Sequence, residues 1–256
     1  MHILKRWYKY LVSVGINPLV VYRAVSQIAR YNSDKKSFKP TLNNEEWAFS
    51  LYPILLDRIS ESATLGEYFW QDLFVAKRIL ADKPNRHIDV GSRIDGFVAH
   101  IACVRPVEVF DIRPLQADIS NIHFVQLDIT EENNKYTEIA DCVSCLHTLE
   151  HIGLGRYGDR LDPDGWKNGF ASLANLVKGG GQLWLSVPIG MQRVEFNAHR
   201  IFAPKTILLK AEKLGLTMVE FHYLLNQEII QSHDVEKDMT ALAEINYALG
   251  IFYFKK

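Results

Sequence analysis

Residues 86–96, Arg-His-Ile-Asp-Val-Gly-Ser-Arg-Ile-Asp-Gly, constrain this chain more than any other stretch. A short apolar run from His87 to Val90 ends on Gly91, and Gly96 precedes the apolar Phe97-Val98-Ala99. That order of signals writes a strand, a tight turn and the start of a helix. Gly91 and Gly96 stand at the first and third positions of the fingerprint that cradles a dinucleotide. Arg93 holds the middle position, where a glycine normally admits a pyrophosphate to the backbone. The arginine side chain is expected to fill that space.

Asp89 and Asp95 flank the turn with negative charge, which repels a diphosphate and attracts a ligand bearing an ammonium or sulfonium group. S-adenosylmethionine (SAM) carries both and has no phosphate. After Gly96 a helix should run through Ala99 to Cys103 and stop at Arg105-Pro106, giving a second strand from Val107 to Phe110 that ends at Asp111. Asp111 falls 20 residues past Gly91, where a bound nucleoside offers its ribose hydroxyls and one carboxylate can accept from both. Ile112 would follow onto the adenine face. Asp128, at the end of a third strand from Ile122 to Leu127, could accept from the adenine amine. Ser92, Ile129 and Leu146 complete the expected cofactor contacts.

With 256 residues and 48% of them apolar, the chain can bury one full core. One main domain, residues 45–256, is expected behind an appendage, residues 1–44. A net charge of −1 argues against a nucleic-acid partner, whose binding rests on neutralising many phosphates. Cys103, Cys142 and Cys145 are too few for a disulfide framework and point to a reducing, cytoplasmic compartment.

Charge is uneven, because the first 40 residues hold Lys5, Arg6, Lys9, Arg23, Arg30, Lys35, Lys36 and Lys39 against Asp34 alone. The Leu11–Val21 run superficially resembles a signal peptide, but Asn17 and Pro18 interrupt it and it is too short to span a bilayer. Two readings stand: a helix packed on the domain, or an arm touching an anionic membrane or a protein partner. Tyr31–Asn44 reads as a linker, and Glu45–Arg58 and Gly66–Ala81 show helical spacing. In the second helix Tyr68, Trp70 and Gln71 are either lid residues over a pocket or core packing.

Ala140–Leu146 is a fourth strand, followed by His147-Thr-Leu-Glu150-His151. Literally this spells the inverted zinc-peptidase motif, but that motif needs helix on both sides, and here a strand precedes it and Gly153 and Gly155 follow. No metal site is expected. Cys142 and Cys145 match a redox pair in spacing, yet within a strand such a spacing sends the two thiols to opposite faces. The remaining reading puts His147, Glu150 and His151 at the carboxyl edge of an open sheet, facing a substrate.

The order of Asp89-Val-Gly91, Asp111, Asp128, Leu146-His-Thr-Leu-Glu150-His151 and Leu176-Val-Lys-Gly-Gly-Gly181-Gln-Leu-Trp-Leu-Ser-Val187-Pro188 resembles class I SAM-dependent methyltransferases. The resemblance covers residues 86 to about 225. Gly153–Gly165, polar and rich in glycine, further resembles a methyltransferase-like family of bacterial and nematode proteins of unassigned function, some of which lie near surface-polysaccharide genes. The resemblance implies an α/β, doubly wound, Rossmann-like sheet of seven strands. Most would be parallel, with the last antiparallel and helices on both faces. It implies a glycine loop holding the methionine moiety and an acceptor site after the fourth strand. Arg93 and Asp95 depart from the glycines common in that loop.

On this reading the catalytic candidates are His147, His151 and His199 as bases, with Glu150 orienting one of them. Arg156, Tyr157, Asn197 and Arg200 are the candidates for binding a small polar acceptor such as a sugar. A scaffold protein that kept the fold and lost the chemistry is the alternative. A nicotinamide-dependent enzyme also uses a glycine turn and a second-strand acid, but Asp89 and Asp95 disfavour its diphosphate. His87, His100, His123, His222 and His233 carry no partner signal in the sequence.

Overall fold

The computed structural model describes residues 2–41, 49–60, 65–131 and 136–256. The chain divides into two compact units, Met1–Thr64 and Leu65–Lys256.

The described residues of the first unit include the helices α1 (His2–Ser13), α2 (Pro18–Ser26) and α3 (Ile28–Phe38), and a short turn, Lys39–Thr41. Asn17 caps α2, its side-chain oxygen accepting from the backbone N–H of Leu19 at 3.0 Å, with Pro18 pre-set at the first helical position. The linker expected over Tyr31–Asn44 is helical as far as Phe38, and residues 42–44 lie outside the described ones. One-turn pairs support this helix: Arg30 with Asp34 at 3.0 Å, and Lys35 over the Tyr31 ring. The helix expected over Glu45–Arg58 does not form in its described part, residues 49–58, apart from a turn at Asp57–Ile59. Pro53 has no N–H to give a helix and drives Tyr52 out of helical backbone.

The second unit opens with α4 (Glu67–Asp82), closed by Lys83 in left-handed conformation ahead of Pro84. Then come β1 (His87–Val90), a tight π-turn at Ile94–Val98, α5 (Ala99–Ala102), β2 (Val107–Asp111), β3 (Ile122–Gln126) and β4 (Ala140–Leu146). These are followed by α6 (Gly165–Leu176), β5 (Val177–Ile189), the small hairpin β6 (Arg193–Glu195) and β7 (His199–Ile201), and α7 (Pro204–Lys213). The unit ends with β8 (Thr217–Leu225), β9 (Glu228–Gln231), α8 (Val235–Leu242) and β10 (Ala248–Lys255). The main sheet runs β3-β2-β1-β4-β5-β10-β8-β9. Its first five strands are parallel, and β10, inserted between β5 and β8, is antiparallel to both.

The sheet thus has eight strands where seven were expected. Asn226 and Gln227 both take positive φ, as a two-residue hairpin turn requires, so β8 folds back onto β9. An Asn-Gln pair lacks the glycine that normally signals such a turn. Regular pairing of β4 with β5 begins at Cys142 opposite Gln182, and Lys178–Gly181 loops out of register before it. Gly180 takes φ +77° there.

Alternation along the strands splits the core between the two faces. Phe110, Cys145, Leu183 and Phe252 pack with Phe170 and Leu173 of α6 and Ile207 of α7. Val109, Cys142, Trp184 and Ile251 pack with Val75 and Ile79 of α4 and Ile101 of α5. Cys142 and Cys145 therefore belong to different faces. The order of connection reverses between β1 and β4, which opens a crevice at their carboxyl ends.

Candidate active site

Gly91 ends β1 with φ +71°, and a Cβ there would lie 2.4 Å from Cγ2 of Thr148, so both the backbone and the neighbour demand glycine. The turn is fastened from beneath. Asp89 Oδ2 accepts from the Ser92 N–H at 3.0 Å, and Oδ1 accepts from the hydroxyls of Ser92 at 2.7 Å and Ser144 at 2.6 Å. His87 Nε2 lies 2.9 Å from the Ser144 oxygen, whose single proton already goes to Asp89, so His87 is the donor. Burial pushes the Asp89 carboxyl up to about 7, against its three hydrogen bonds, and the His87 imidazole down to about 3. Asp89, expected among the cofactor contacts, is fully buried and lies off the cavity wall, where it shapes the loop instead. His87 has a partner that the sequence did not announce.

Gly96 adopts φ −124°, ψ −109°, and a Cβ there would sit 2.6 Å from Asp72 Oδ2, so this glycine admits α4 to the loop rather than a ligand. Arg93 does not fill the space expected of it. Its guanidinium turns to the rim, binding Asp95 with Nε at 3.0 Å and Nη2 at 2.8 Å, and lies over the Tyr68 ring. The two charges there offset each other in solvent.

The crevice holds a cavity of about 560 Å³, within the usual size of a small-molecule site. Of the residues expected to contact a cofactor, Gly91, Ser92, Arg93, Asp111, Ile112, Asp128, Ile129 and Leu146 line it, together with Phe110, Arg113 and Leu115. Asp128 uses Oδ1 for both the N–H and the hydroxyl of Thr130, at 2.8 and 2.7 Å, which leaves Oδ2 for a donor. Asp111 is engaged by its own neighbour: Oδ1 accepts from the Arg113 N–H at 2.8 Å and Nε at 3.0 Å, and Oδ2 from Nη2 at 2.6 Å. An arginine two residues past the acid was the local signal for this pair.

At the other end His147 leaves β4 in left-handed conformation, φ +53°, its ring against Tyr68. Its Nδ1 lies 2.8 Å from Glu150 Oε1, and Nε2 is buried without a hydrogen bond, 3.7 Å from Glu67 Oε1. Burial disfavours the His147 cation, but the negative field of Glu150 and Glu67 outweighs it and raises the pKa. His151 differs. Its Nδ1–H donates to the Ala198 carbonyl at 2.7 Å, so the neutral ring presents Nε2 as a lone pair, and burial lowers its pKa below the ordinary value.

His147 and His151 line the cavity with Thr148, Arg156 and Tyr157. Glu150 is buried behind them, its Oε2 without a hydrogen bond. His199 lies off the wall, its ring 6.4 Å from that of His151 and its Nε2 3.7 Å from Glu195. Asn197 is exposed on the β6–β7 turn, also off the wall. Arg200 is buried and spends its guanidinium on the carbonyls of Glu150, Ile152, Asp162 and Pro163, pinning the loop after β4 rather than facing the cavity. Arg156 donates to the Ala198 carbonyl, and the guanidiniums of Arg156 and Arg113 lie 5.1 and 4.7 Å from the centre of the Tyr157 ring.

Sequence reasoning missed Glu67, Asp72, Thr148 and Tyr247, whose hydroxyl donates to Glu67 at 2.7 Å. Asp72, a carboxylate at an apolar position of the α4 repeat, was the available signal. Among the described residues no group of His, Cys, Asp and Glu could hold a metal ion, and within His147–His151 the helical part is a single 3₁₀ turn, Leu149–His151, that leaves His147 outside it.

Residues 94–239, more than half of the chain, match the family described as Caenorhabditis protein of unknown function, DUF268. The chain belongs to the DUF268 family. No curated protein matches it. Among solved structures, this DUF268 chain is similar to the [4+2]-cyclase SpnF, at 12% identity over 73% of this chain and 80% of that one, TM-score 0.53. It is also similar to the N-methyltransferase NodS from Bradyrhizobium japonicum WM9 in complex with S-adenosylhomocysteine (SAH), at 13% identity over 75% and 88%, TM-score 0.51. A third is a sarcosine dimethylglycine methyltransferase assignment from Galdieria sulphuraria, at 12% identity over 73% and 84%, TM-score 0.51. At these identities the likeness establishes the fold, which is that of SAM-dependent methyltransferases. A cyclase among them shows that this fold does not by itself fix the reaction.

Proposed function

We propose that this DUF268 protein is a SAM-dependent methyltransferase acting on a hydroxyl of a small polar acceptor such as a sugar, in the cytoplasm. One observation carries the reading. A single cavity joins carboxylates at the tips of β2 and β3 to a buried histidine whose free nitrogen is a lone pair.

The residues present fit the cofactor. Asp111 would hold the ribose hydroxyls and Asp128 Oδ2 the adenine amine, with Ile112 and Ile129 against the purine and the Gly91-Ser92 turn beside the amino-acid moiety. When bound, SAM supplies an electrophilic methyl group. Arg156 and Tyr157 would hold the acceptor in line, which is the larger part of catalysing a displacement. His151 Nε2 would take the proton of the acceptor hydroxyl, leaving its oxygen the nucleophile. The imidazolium so formed lies 3.6 Å from Glu150 Oε1, which favours it. His147, paired to the same carboxylate, and His199, behind His151, would position this set.

A second reading, a scaffold without chemistry, is favoured by the hold of Arg113 on Asp111. Calorimetric titration with SAH separates the two. Binding heat that disappears in Asp111→Asn supports the enzyme, and no heat from the intact protein supports the scaffold. Turnover of a panel of nucleotide sugars with labelled SAM then identifies the acceptor.

A further inference from the structure

Eight of the chain's 29 Lys and Arg but only one of its 30 Asp and Glu fall within the first 41 residues. The apolar side chains there are as unevenly placed. Every residue of α2 is exposed except Ala24, which is half-buried, yet Leu19, Val20, Val21, Tyr22 and Val25 make this helix apolar nearly all round. A helix of that composition normally lies buried, because exposing it forfeits the free energy of removing apolar surface from water. In α1, Trp7 and Leu11 are one turn apart on one face, while Lys9 and Ser13 share the opposite face. Trp7 is 65% and Tyr22 74% exposed, side chains of the amphipathic kind that settle at a lipid headgroup boundary. Among the described residues neither Lys9 nor Arg23 has an ion-pair partner.

We propose that α1 and α2 dock onto an anionic lipid surface and lie in its headgroup region. The apolar faces supply insertion and the basic residues the choice of anionic lipid. The segment lies on the membrane rather than crossing it. No single helix is long and apolar enough to cross, and the pair that meets the length by composition, Trp7–Ser13 with Pro18–Thr41, is bent by 71°. At about 1.5 Å per residue α2 extends less than half the roughly 30 Å hydrocarbon thickness. Beyond it α3 carries Arg30, Asp34, Lys35 and Lys36, which belong in water. This proposal is independent of the chemistry of the cavity.

The test is co-sedimentation of the full chain with vesicles of phosphatidylcholine alone and of phosphatidylcholine mixed with phosphatidylglycerol. We expect partitioning onto the anionic vesicles that weakens with salt. It should fall roughly fivefold for each basic residue removed in Lys9→Gln and Arg23→Gln, and be lost in Val21→Asp/Tyr22→Asp. Equal binding to both vesicles, or to neither, would overturn it. So would a soluble oligomer that dissociates in Val21→Asp/Tyr22→Asp, which would assign the same face to a second copy of the chain.

Discussion

The Asp111 carboxylate grips the Arg113 guanidinium with both oxygens, at 3.0 Å to Nε and 2.6 Å to Nη2. The acid is buried and the arginine half-exposed, so this pair is a weak competitor for a ligand that brings two hydroxyls. Asp111→Asn should weaken SAH binding by roughly tenfold or more, the loss of charge-assisted hydrogen bonds. Arg113→Ala should tighten it by roughly two- to fivefold. Calorimetry reads both, and a loss in Arg113→Ala as large as in Asp111→Asn would show that Arg113 itself holds the ligand.

His151→Ala should lower kcat by roughly a hundredfold or more, the usual share of a general base, with SAH affinity unchanged. On the proposed function, the unaltered protein should keep a flat kcat/KM at neutral pH and lose it as pH falls through a value below the ordinary histidine 6.5, because burial lowers this pKa and only the neutral ring accepts a proton. A decline starting well above that value would move the base to another group.

The His87–Ser144–Asp89 network makes two opposite contributions to stability. His87 has its folded pKa depressed from 6.5 to about 3, so its contribution is present above 6.5 and lost as pH falls toward 3. Asp89 has its folded pKa raised from 3.8 to about 7, so its contribution is present below 3.8 and lost as pH rises toward 7. Between about 4 and 6.5 they nearly cancel. His87→Gln should leave the Asp89 slope uncovered, a loss of up to about 1.4 kcal/mol per pH unit as pH rises through that window. Urea denaturation at several pH values measures it, and parallel curves for the two proteins would refute the assignment.

Arg200 satisfies four carbonyls from one side chain. Arg200→Met should destabilise by about 3 kcal/mol or more, since buried acceptors lose a charged donor. Arg200→Lys should not rescue it, because one ammonium cannot span the carbonyls of Glu150 and Pro163 together. Hydrogen exchange should rise first across residues 150–163. Protection there equal to that of the unaltered protein would show that the loop is held by something else.

The inner parallel strands could be read from the chain because β1, β2, β4 and most of β5 are buried on both faces and so spell mainly apolar runs bounded by turn residues. Local chemistry likewise placed Gly91, Asp111, Asp128 and His151 at strand tips, where they do line one cavity. Elements whose signal depends on a neighbour were not legible. Pro53 cancelled an apparent helical repeat, and β9 needed a turn that Asn226-Gln227 makes without glycine.

Within the site, the sequence determined which side chains stand near the sheet edge, because strand length and turn position are local properties. Tertiary structure alone decided what each one does there. Asp89 is claimed by Ser144 of β4 and Arg200 by carbonyls 37 to 50 residues earlier, while Arg93 turns outward to Asp95 and His151 is fixed in tautomer by Ala198. Charge and hydrogen bonding depend on distance and burial, and those exist only once distant segments have packed together.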